Sequence, residues 1–279
     1  MSKQIKQTKL NIFKRRLLSS YNLQYLLSHI TTLREWHIKR ALRGVSGCKD
    51  SSASIRILDA GCGAGQYVIF MNRLFDNAQI DALDGDSRRI SCLSEDFAHI
   101  KLNNIKLICQ DLQELQGSEE YDLILCSAVL EYIADDNKVI ANFVRALKPS
   151  GQMVIYQPVK ITAGNNRLKA GFERNVADRI AEKQLPLINR YTKEELIDLV
   201  KVPGLQIERI MYTHGLCGRI GANIERYFFR SNRLRFPFSV LYLILILIHP
   251  IAMLFMLADY ALPVRNGAGM IMILKKGNP

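Results

Sequence analysis

The sequence predicts an α/β fold, a mainly parallel sheet with helices on both faces, and three observations carry that expectation. Ile55 to Phe70 reads Ile-Arg-Ile-Leu-Asp-Ala-Gly-Cys-Gly-Ala-Gly-Gln-Tyr-Val-Ile-Phe: a short apolar run closed by Asp59, glycines at 61, 63 and 65, then a helical stretch from Gln66 to Phe75. The order is strand, tight turn, helix. Further apolar runs of strand length lie at 78–83, 105–109, 121–126, 151–156, 205–212 and 268–274, with helical stretches between most of them. The chain has 279 residues, 48% of them hydrophobic, enough for one large domain or one domain with an appendage.

The glycine turn brings bare backbone against a ligand, since a Cβ would block left-handed backbone angles or the approach of a flat cofactor. A nicotinamide or flavin site wants Gly-x-Gly-x-x-Gly with its pyrophosphate on the helix N-terminus. Here the third glycine comes one residue early, and the strand closes on a carboxylate that argues against a phosphate ligand. The plain alternative is a glycine-rich turn that binds nothing. At this point the residues resemble the class I S-adenosylmethionine-dependent methyltransferases, whose first motif has the form acid-x-Gly-x-Gly-x-Gly; Asp59, Gly61, Gly63 and Gly65 meet it, with Cys62 inside the turn. The resemblance implies a Rossmann-like sheet of seven strands with the last antiparallel. It also implies S-adenosyl-L-methionine as cofactor, a molecule with an ammonium and a sulfonium and no phosphate, which acids suit.

Taken in order, the elements extend that resemblance. Leu10, Phe13, Leu17 and Tyr21 recur at helical spacing among basic residues, which predicts a basic amphipathic helix that lies on the core or on a membrane surface. Tyr21 to Leu42 reads as a second helix, with Trp36 and His37, where such enzymes often keep a helix over the cofactor. Residues 1–50 are thus a pair of basic helices ahead of a methyltransferase domain over 51–279. The second strand ends in Asp84, about 20 residues beyond the glycines, the spacing at which an acid reaches ribose hydroxyls. Gly85 would then lie beside the adenine, and Asp86 is the N-cap of a helix over 87–97. The third strand leads into Asp111 and Leu112, matching the family's acid on the adenine amino group and the apolar residue on its ring.

After the fourth strand, Ser127-Ala128-Val129-Leu130-Glu131-Tyr132 resembles a segment that often reads Leu-Glu-His in the family. Ser127 falls on the cofactor side, whereas Tyr132 replaces the histidine. A phenol with an ordinary pKa near 10 is a poor base at pH 7. Glu131, Tyr132 and His214 are the candidate catalytic residues. A helix over 139–147 is expected to be stopped by Pro149. Thr192 with Glu195 makes a capping box. Residues 159–191, polar and carrying Arg167, Arg174 and Arg190, read as a lid.

Between the last two strands lie about fifty residues, where connections usually take 2–6. Phe236 to Ala258 carries no Asp, Glu, Lys or Arg, a length that reaches the ~20 residues of a membrane span. If the sixth and seventh strands are neighbours, however, both ends of the insert leave from one side, so a single span is excluded. Pro250 falls in the middle, and two short apolar helices around it are expected within an insert over 218–263. Arg219, Arg226, Arg230, Arg233 and Arg235, against Glu225 alone, suit an anionic lipid surface. A homodimer contact and a lid over a greasy substrate are the other readings of the insert.

Composition bounds the rest. Six cysteines without Cys-x-x-Cys spacing suggest neither disulfides nor zinc, and the site is expected to hold no metal. Net charge is +12, with eleven basic residues before residue 50 opposed only by Glu35. That favours an anionic surface, lipid or nucleic acid. The Asn/Asp-Pro-Pro-aromatic motif of many enzymes that methylate base amines is missing, which makes nucleic acid the lesser reading. The basic start lacks an apolar signal core, so the expected place is the cytoplasm, peripheral or monotopic on the inner membrane face. The function expected is methyl transfer from the cofactor to an oxygen of a small lipophilic or lipid-linked acceptor. The alternatives are a nucleic-acid methyltransferase and a catalytically silent membrane adaptor that binds the cofactor.

Overall fold

The computed structural model describes residues 33–45, 54–98, 102–160, 187–230 and 238–277; for 225–230 and 238–248 it describes the backbone. The expected N-terminal amphipathic helix, and the middle of the lid at 161–186, lie outside the described residues. Seven strands form one sheet: β1 (Ile55–Ala60), β2 (Ala78–Asp84), β3 (Ile105–Cys109), β4 (Tyr121–Ser127), β5 (Leu147–Pro158), β6 (Leu205–Thr213) and β7 (Gly269–Lys276). Their spatial order is β3-β2-β1-β4-β5-β7-β6, and β7 runs antiparallel to both β5 and β6. The carboxyl ends of β1 to β6 therefore share one edge with the start of β7, where Gly269 pairs with both Pro158 and Thr213. Strand order reverses between β1 and β4, and it is outside the carboxyl ends at such a reversal that α/β sheets bind ligands.

Seven helices are described: α1 (Leu33–Arg43), α2 (Val68–Leu74), α3 (Ser87–Ala98), α4 (Asp136–Ala146), α5 (Lys193–Leu199), α6 (Leu216–Arg230) and α7 (Phe238–Ala261). Alternate strand residues point to opposite faces, so the sheet has two cores. Ile57, Ile80, Leu123, Val154 and Ile271 face Ile38 and Leu42 of α1, Met71 of α2 and Leu93 of α3. Residues of the opposite alternation, Leu58, Leu83, Ile124, Met153 and Met272, face Val139 and Phe143 of α4 and Leu196 of α5. Each buried side chain of this size contributes roughly 1.5–3 kcal/mol, which sets register as firmly as the ladder does.

Two boundaries differ from the sequence reading for identifiable reasons. Helix α4 starts earlier, because Asp135 caps it by accepting from the Lys138 amide at 2.9 Å. It also ends at Ala146, before Pro149 could stop it, since Leu147 already pairs with Tyr121; Pro149 lies inside β5, beside an irregularity in its pairing with β4. The capping box at Thr192 and Glu195 is present as expected.

The insert is a helical hairpin. A Cβ at Gly218 would meet Asp259, and one at Gly221 would meet Ala252 and Met256, so α6 and α7 run antiparallel in close contact. The expected pair of short helices around Pro250 is corrected: α7 is one helix of 24 residues that contains Pro250. A proline removes one backbone donor, and packing of α7 on α6 and α1 outweighs that loss. The hairpin leaves β6 and returns to β7 at the same edge of the sheet. Among the residues whose side chains are described, no helix is long and apolar enough to cross a membrane.

Candidate active site

The glycine turn links β1 to α2. Gly61, Gly63 and Gly65 all have left-handed backbones, with φ of 76°, 55° and 69°. A Cβ at Gly61 would run into Val129 and one at Gly65 into Leu93, so these two glycines serve packing. Gly63 is different, because a Cβ there would meet nothing within 4 Å. The turn is pinned to β2 by the Gly61 and Cys62 amides, which donate to the Leu83 carbonyl at 2.7 and 2.9 Å. Burial pushes the Cys62 thiol well above its ordinary range, which leaves it an inert packing group.

Two acids flank the turn. Asp59, at the end of β1, is 1% exposed, and its Oδ2 has no hydrogen-bond partner. Burial, then the charge of Asp84, push its carboxyl up to about 7. Asp84 accepts from the Gly63 amide and from the Asp86 amide, both at 2.9 Å, and so braces the middle of the turn. Gly85 is exposed beside the Gln110 carbonyl. Asp86 is the N-cap expected, accepting from the Arg88 amide at 3.0 Å. Asp111 caps the short turn at 112–114, taking bonds from the Gln113 amide and side chain at 2.8 and 3.0 Å, and Leu112 is buried in the core behind it. The strand-end acids thus line one edge, as the motif spacing anticipated, with Asp84 and Asp111 each already bonded to local groups.

Across the reversal point, β4 delivers Ser127, whose buried Oγ is unpartnered, and then Ala128 at φ 56°. Glu131 follows, buried, with its carboxyl pushed up to about 7 by desolvation against the opposing pull of Arg34, Tyr132 and Arg190. Tyr132 beside it is pushed up to about 12, first by burial and then by Glu131. His214 stands at the end of β6, its Nδ1 3.0 Å from Thr213 Oγ1. Three strand spacings separate β6 from β4, about 14 Å at ~4.8 Å each, so His214 and Glu131 follow strands well apart in the sheet. The structure groups Glu131 with Tyr132 and sets His214 near the buried Asp259 of α7, whose carboxyl is held below its usual range, against burial, by hydrogen bonds from His37 and the Gly218 amide and then by His214.

Several polar residues at this edge were missed. Arg34, in the first turn of α1, has a buried Nε without a partner, and its Cζ stands 6.0 Å from the centre of the Tyr156 ring. Tyr67, the last residue of the glycine turn, is 2% exposed with its hydroxyl unpartnered. In the sequence Arg34 is one of eleven basic residues, and only the apolar spacing of Leu33, Ile38 and Leu42 could have marked the helix that buries it.

Comparison with known proteins gives a consistent answer. Residues 51–202 match the Methyltransferase domain family. A malonyl-[acyl-carrier protein] O-methyltransferase of Bacillus cereus is 27% identical over 155 residues, 54% of this chain and 55% of that protein. A ubiquinone biosynthesis O-methyltransferase of Rickettsia akari is 27% identical over 135 residues, 48% of this chain and 46% of that one. The chain spans about half the length of the curated relatives it matches. Among solved structures, a protein described as a sarcosine dimethylglycine methyltransferase from Galdieria sulphuraria superposes with a TM-score of 0.59 at 19% identity, over 89% of this chain and 86% of that one. The family match over more than half of the chain agrees with the antiparallel seventh strand and with the acid-and-glycine turn at the reversal point. The chain belongs to the class I S-adenosylmethionine-dependent methyltransferases.

Proposed function

We propose that the protein transfers a methyl group from S-adenosylmethionine to an oxygen of a small lipophilic acceptor, and that it does so at an anionic membrane surface. The observation that carries the transfer is the pair of unmet demands beside the glycine turn: a buried, unpartnered carboxylate oxygen on Asp59 and open space over Gly63. A cation with a flat body meets both. Asp59, the turn from Gly61 to Gly65, Asp84, Gly85, Asp111 and Leu112 would hold it, and Ser127 would meet it from β4. Asp84 keeps lone pairs free after accepting two amides, so it can still take ribose hydroxyls. When bound, the cofactor supplies an electrophilic methyl: an acceptor lone pair forms the new O–C bond while the S–C electron pair returns to sulfur.

The chain's residues then position the acceptor and manage its proton. Tyr132 binds its proton too tightly to be a base at neutral pH, whereas Glu131 titrates near it and is the better candidate. Transfer to oxygen is supported by the names of two relatives, both O-methyltransferases. Membrane contact is supported by the hairpin, where Ile251, Leu254 and Leu257 are exposed at intervals of three along α7 and Leu262 just beyond it. The charge-free sequence over 238–248 adds apolar length to α7, and Arg219, Arg226 and Arg230 on α6 add the basic component. The test is a labelled-methyl screen of lipid extract against RNA. Label in an organic-soluble product is expected, whereas label in RNA would transfer the assignment to the nucleic-acid class.

A further inference from the structure

We propose that Gln157 and Asn189 are positioning residues for Glu131: two amide side chains, one on each side, fix the turn that carries the acid to the ligand edge. The inference rests on the reading of Glu131 as the group that takes the acceptor's proton, and adds what holds it in place. Glu131 sits in the single turn Leu130–Tyr132 that follows β4. Its own backbone bonds run from the Tyr132 amide to the Val129 carbonyl at 2.9 Å and from the Ile133 amide to the Leu130 carbonyl at 3.3 Å. So short a turn leaves amides at its start and carbonyls at its end to be met from outside. On the amide side stands Gln157 of β5, fully buried; with its side-chain oxygen facing the turn it accepts from the Leu130 and Val129 amides at 2.9 and 3.2 Å, and those two donors fix that orientation. On the carbonyl side, Asn189 Nδ2 donates to the Ile133 carbonyl at 2.7 Å and lies 3.3 Å from the Leu130 carbonyl and 3.4 Å from Asp136 Oδ2. The Ile188 and Asn189 amides donate to the Glu131 carbonyl itself at 2.8 and 3.0 Å. The Tyr191 hydroxyl adds contacts to Asp136 at 2.7 Å and to the Leu130 carbonyl at 3.2 Å.

The far end of this clamp is itself held. Tyr191 forms a bridge with Val159 at the end of β5 and accepts from the Lys160 amide at 2.8 Å, and Thr192 next to it caps α5. Residues 188–191 are thus gripped by β5 and α5, and in turn grip the acid. Just before the turn, Ala128 has a φ of 56°, a left-handed angle that a residue with a side chain keeps only where its surroundings impose it. Gln157 and Asn189 impose it from either side. What these bonds secure is a carboxyl on a residue 9% exposed, and burial is the first cause that lifts it to about 7. The groups that face it are Arg34 from α1, Tyr132 on its own turn, Tyr156 of β5 and Arg190. Arg190 stands between the anchored residues Asn189 and Tyr191, so the clamp and a countercharge arrive on one segment. A general base acts only within hydrogen-bond reach of its proton, and a displacement of about 1 Å can cost roughly a hundredfold in rate.

The test follows the Glu131 carboxyl of the full chain by carbon-13 NMR across a pH titration, the resonance being assigned by its loss in Glu131→Gln. Asn189→Leu, close in volume, removes the donor and keeps the packing. The wild-type midpoint is expected at about 7. In Asn189→Leu the acid constant should rise at least about tenfold, because a loosened turn lets water reach the carboxyl. Gln157→Met, which removes the acceptor on the other side, should act in the same direction. Tyr191→Phe should do so by a smaller factor, and decides the matter if Asn189→Leu fails to fold. With lipid extract as methyl acceptor, Asn189→Leu should also lower the rate at saturating S-adenosylmethionine about tenfold or more, with KM for the cofactor unchanged. A folded Asn189→Leu protein with the wild-type midpoint overturns the proposal, as does an unmoved midpoint in Tyr191→Phe where Asn189→Leu does not fold. Loss of rate with the midpoint unmoved assigns Asn189 to the acceptor itself and also overturns it. If the wild type labels no product, the methyl-transfer reading falls, and the NMR titration still decides the clamp.

Discussion

Asp59 ties the cofactor site to the protein's pH response. Its carboxyl titrates at about 7 in the folded chain against 3.8 in the open chain, because it is buried with one oxygen unpartnered and Asp84 close by. A raised folded pKa means that the folded state holds a proton the unfolded state has lost. Stability should therefore fall as pH rises from about 4 to about 7 and level off above, by as much as a few kcal/mol at 1.36 kcal/mol per unit. Asp59→Asn should flatten that slope and melt higher than wild type at pH 8 in the absence of ligand, as thermal denaturation across pH would read. S-adenosylmethionine affinity should in turn tighten up to pH 7 in the wild type and stay level in Asp59→Asn. Gly63→Val is a second test at this scale, since the side chain would occupy open space and sit at φ 55°, a strain of about 1–2 kcal/mol. It should abolish cofactor binding while the protein still folds. Asp84→Ala should lower affinity roughly ten- to a hundredfold by calorimetry, since two amides lose their acceptor and the ribose loses its own. Asp59, Asp84 and the three glycines were legible because motif and spacing fix them relative to strand ends. The burial of Arg34 and Tyr67 was not, because it arises from packing between elements far apart in sequence.

At the scale of elements the hairpin is the feature that sequence read least well. Its apolar character and its two ends on one side followed from composition and from the pairing of β6 with β7. The break between its helices did not, because a proline signal was weighed without the packing of Gly218 and Gly221 that lets α7 run on through Pro250. Gly221→Leu should separate the helices, since its Cβ would already stand 2.8 Å from the Ala252 carbonyl and 3.0 Å from Met256. A loss of about 1–3 kcal/mol and faster amide exchange in α7 are expected, with the glycine turn unaffected. Glutamine at Arg226, Arg230, Arg233 and Arg235 should reduce flotation with anionic vesicles, more so at low salt, and spare cofactor affinity. A stable dimer that protects the hairpin and ignores vesicles would make the apolar face an oligomer contact instead.

For the whole molecule, the strand order could be read almost completely, because β1 to β5 follow a motif-bearing sequence and β7 holds a charge-free run, Ala268 to Leu274, between Gly267 and Lys275. The path of α1 could not, since a helix on a sheet face leaves no local mark of what its first turn reaches. Because both cores end at the ligand edge, saturating S-adenosylmethionine should stabilise the domain as one unit, by about 2.7 kcal/mol at a hundred times Kd, seen as a single shifted melting transition. Helix α1 bears on this directly. Its middle is held by Ile38 and Leu42 in the core, while Trp36 and His37 lie edge-on to Tyr260 of α7 and Arg40 donates to the Tyr260 carbonyl at 2.9 Å. The guanidinium of Arg34 is thus mounted on a rod gripped by the same hairpin that carries the apolar face. Any shift of the hairpin relative to the sheet would be conveyed along that rod to Arg34, and a slip of one residue moves it about 1.5 Å.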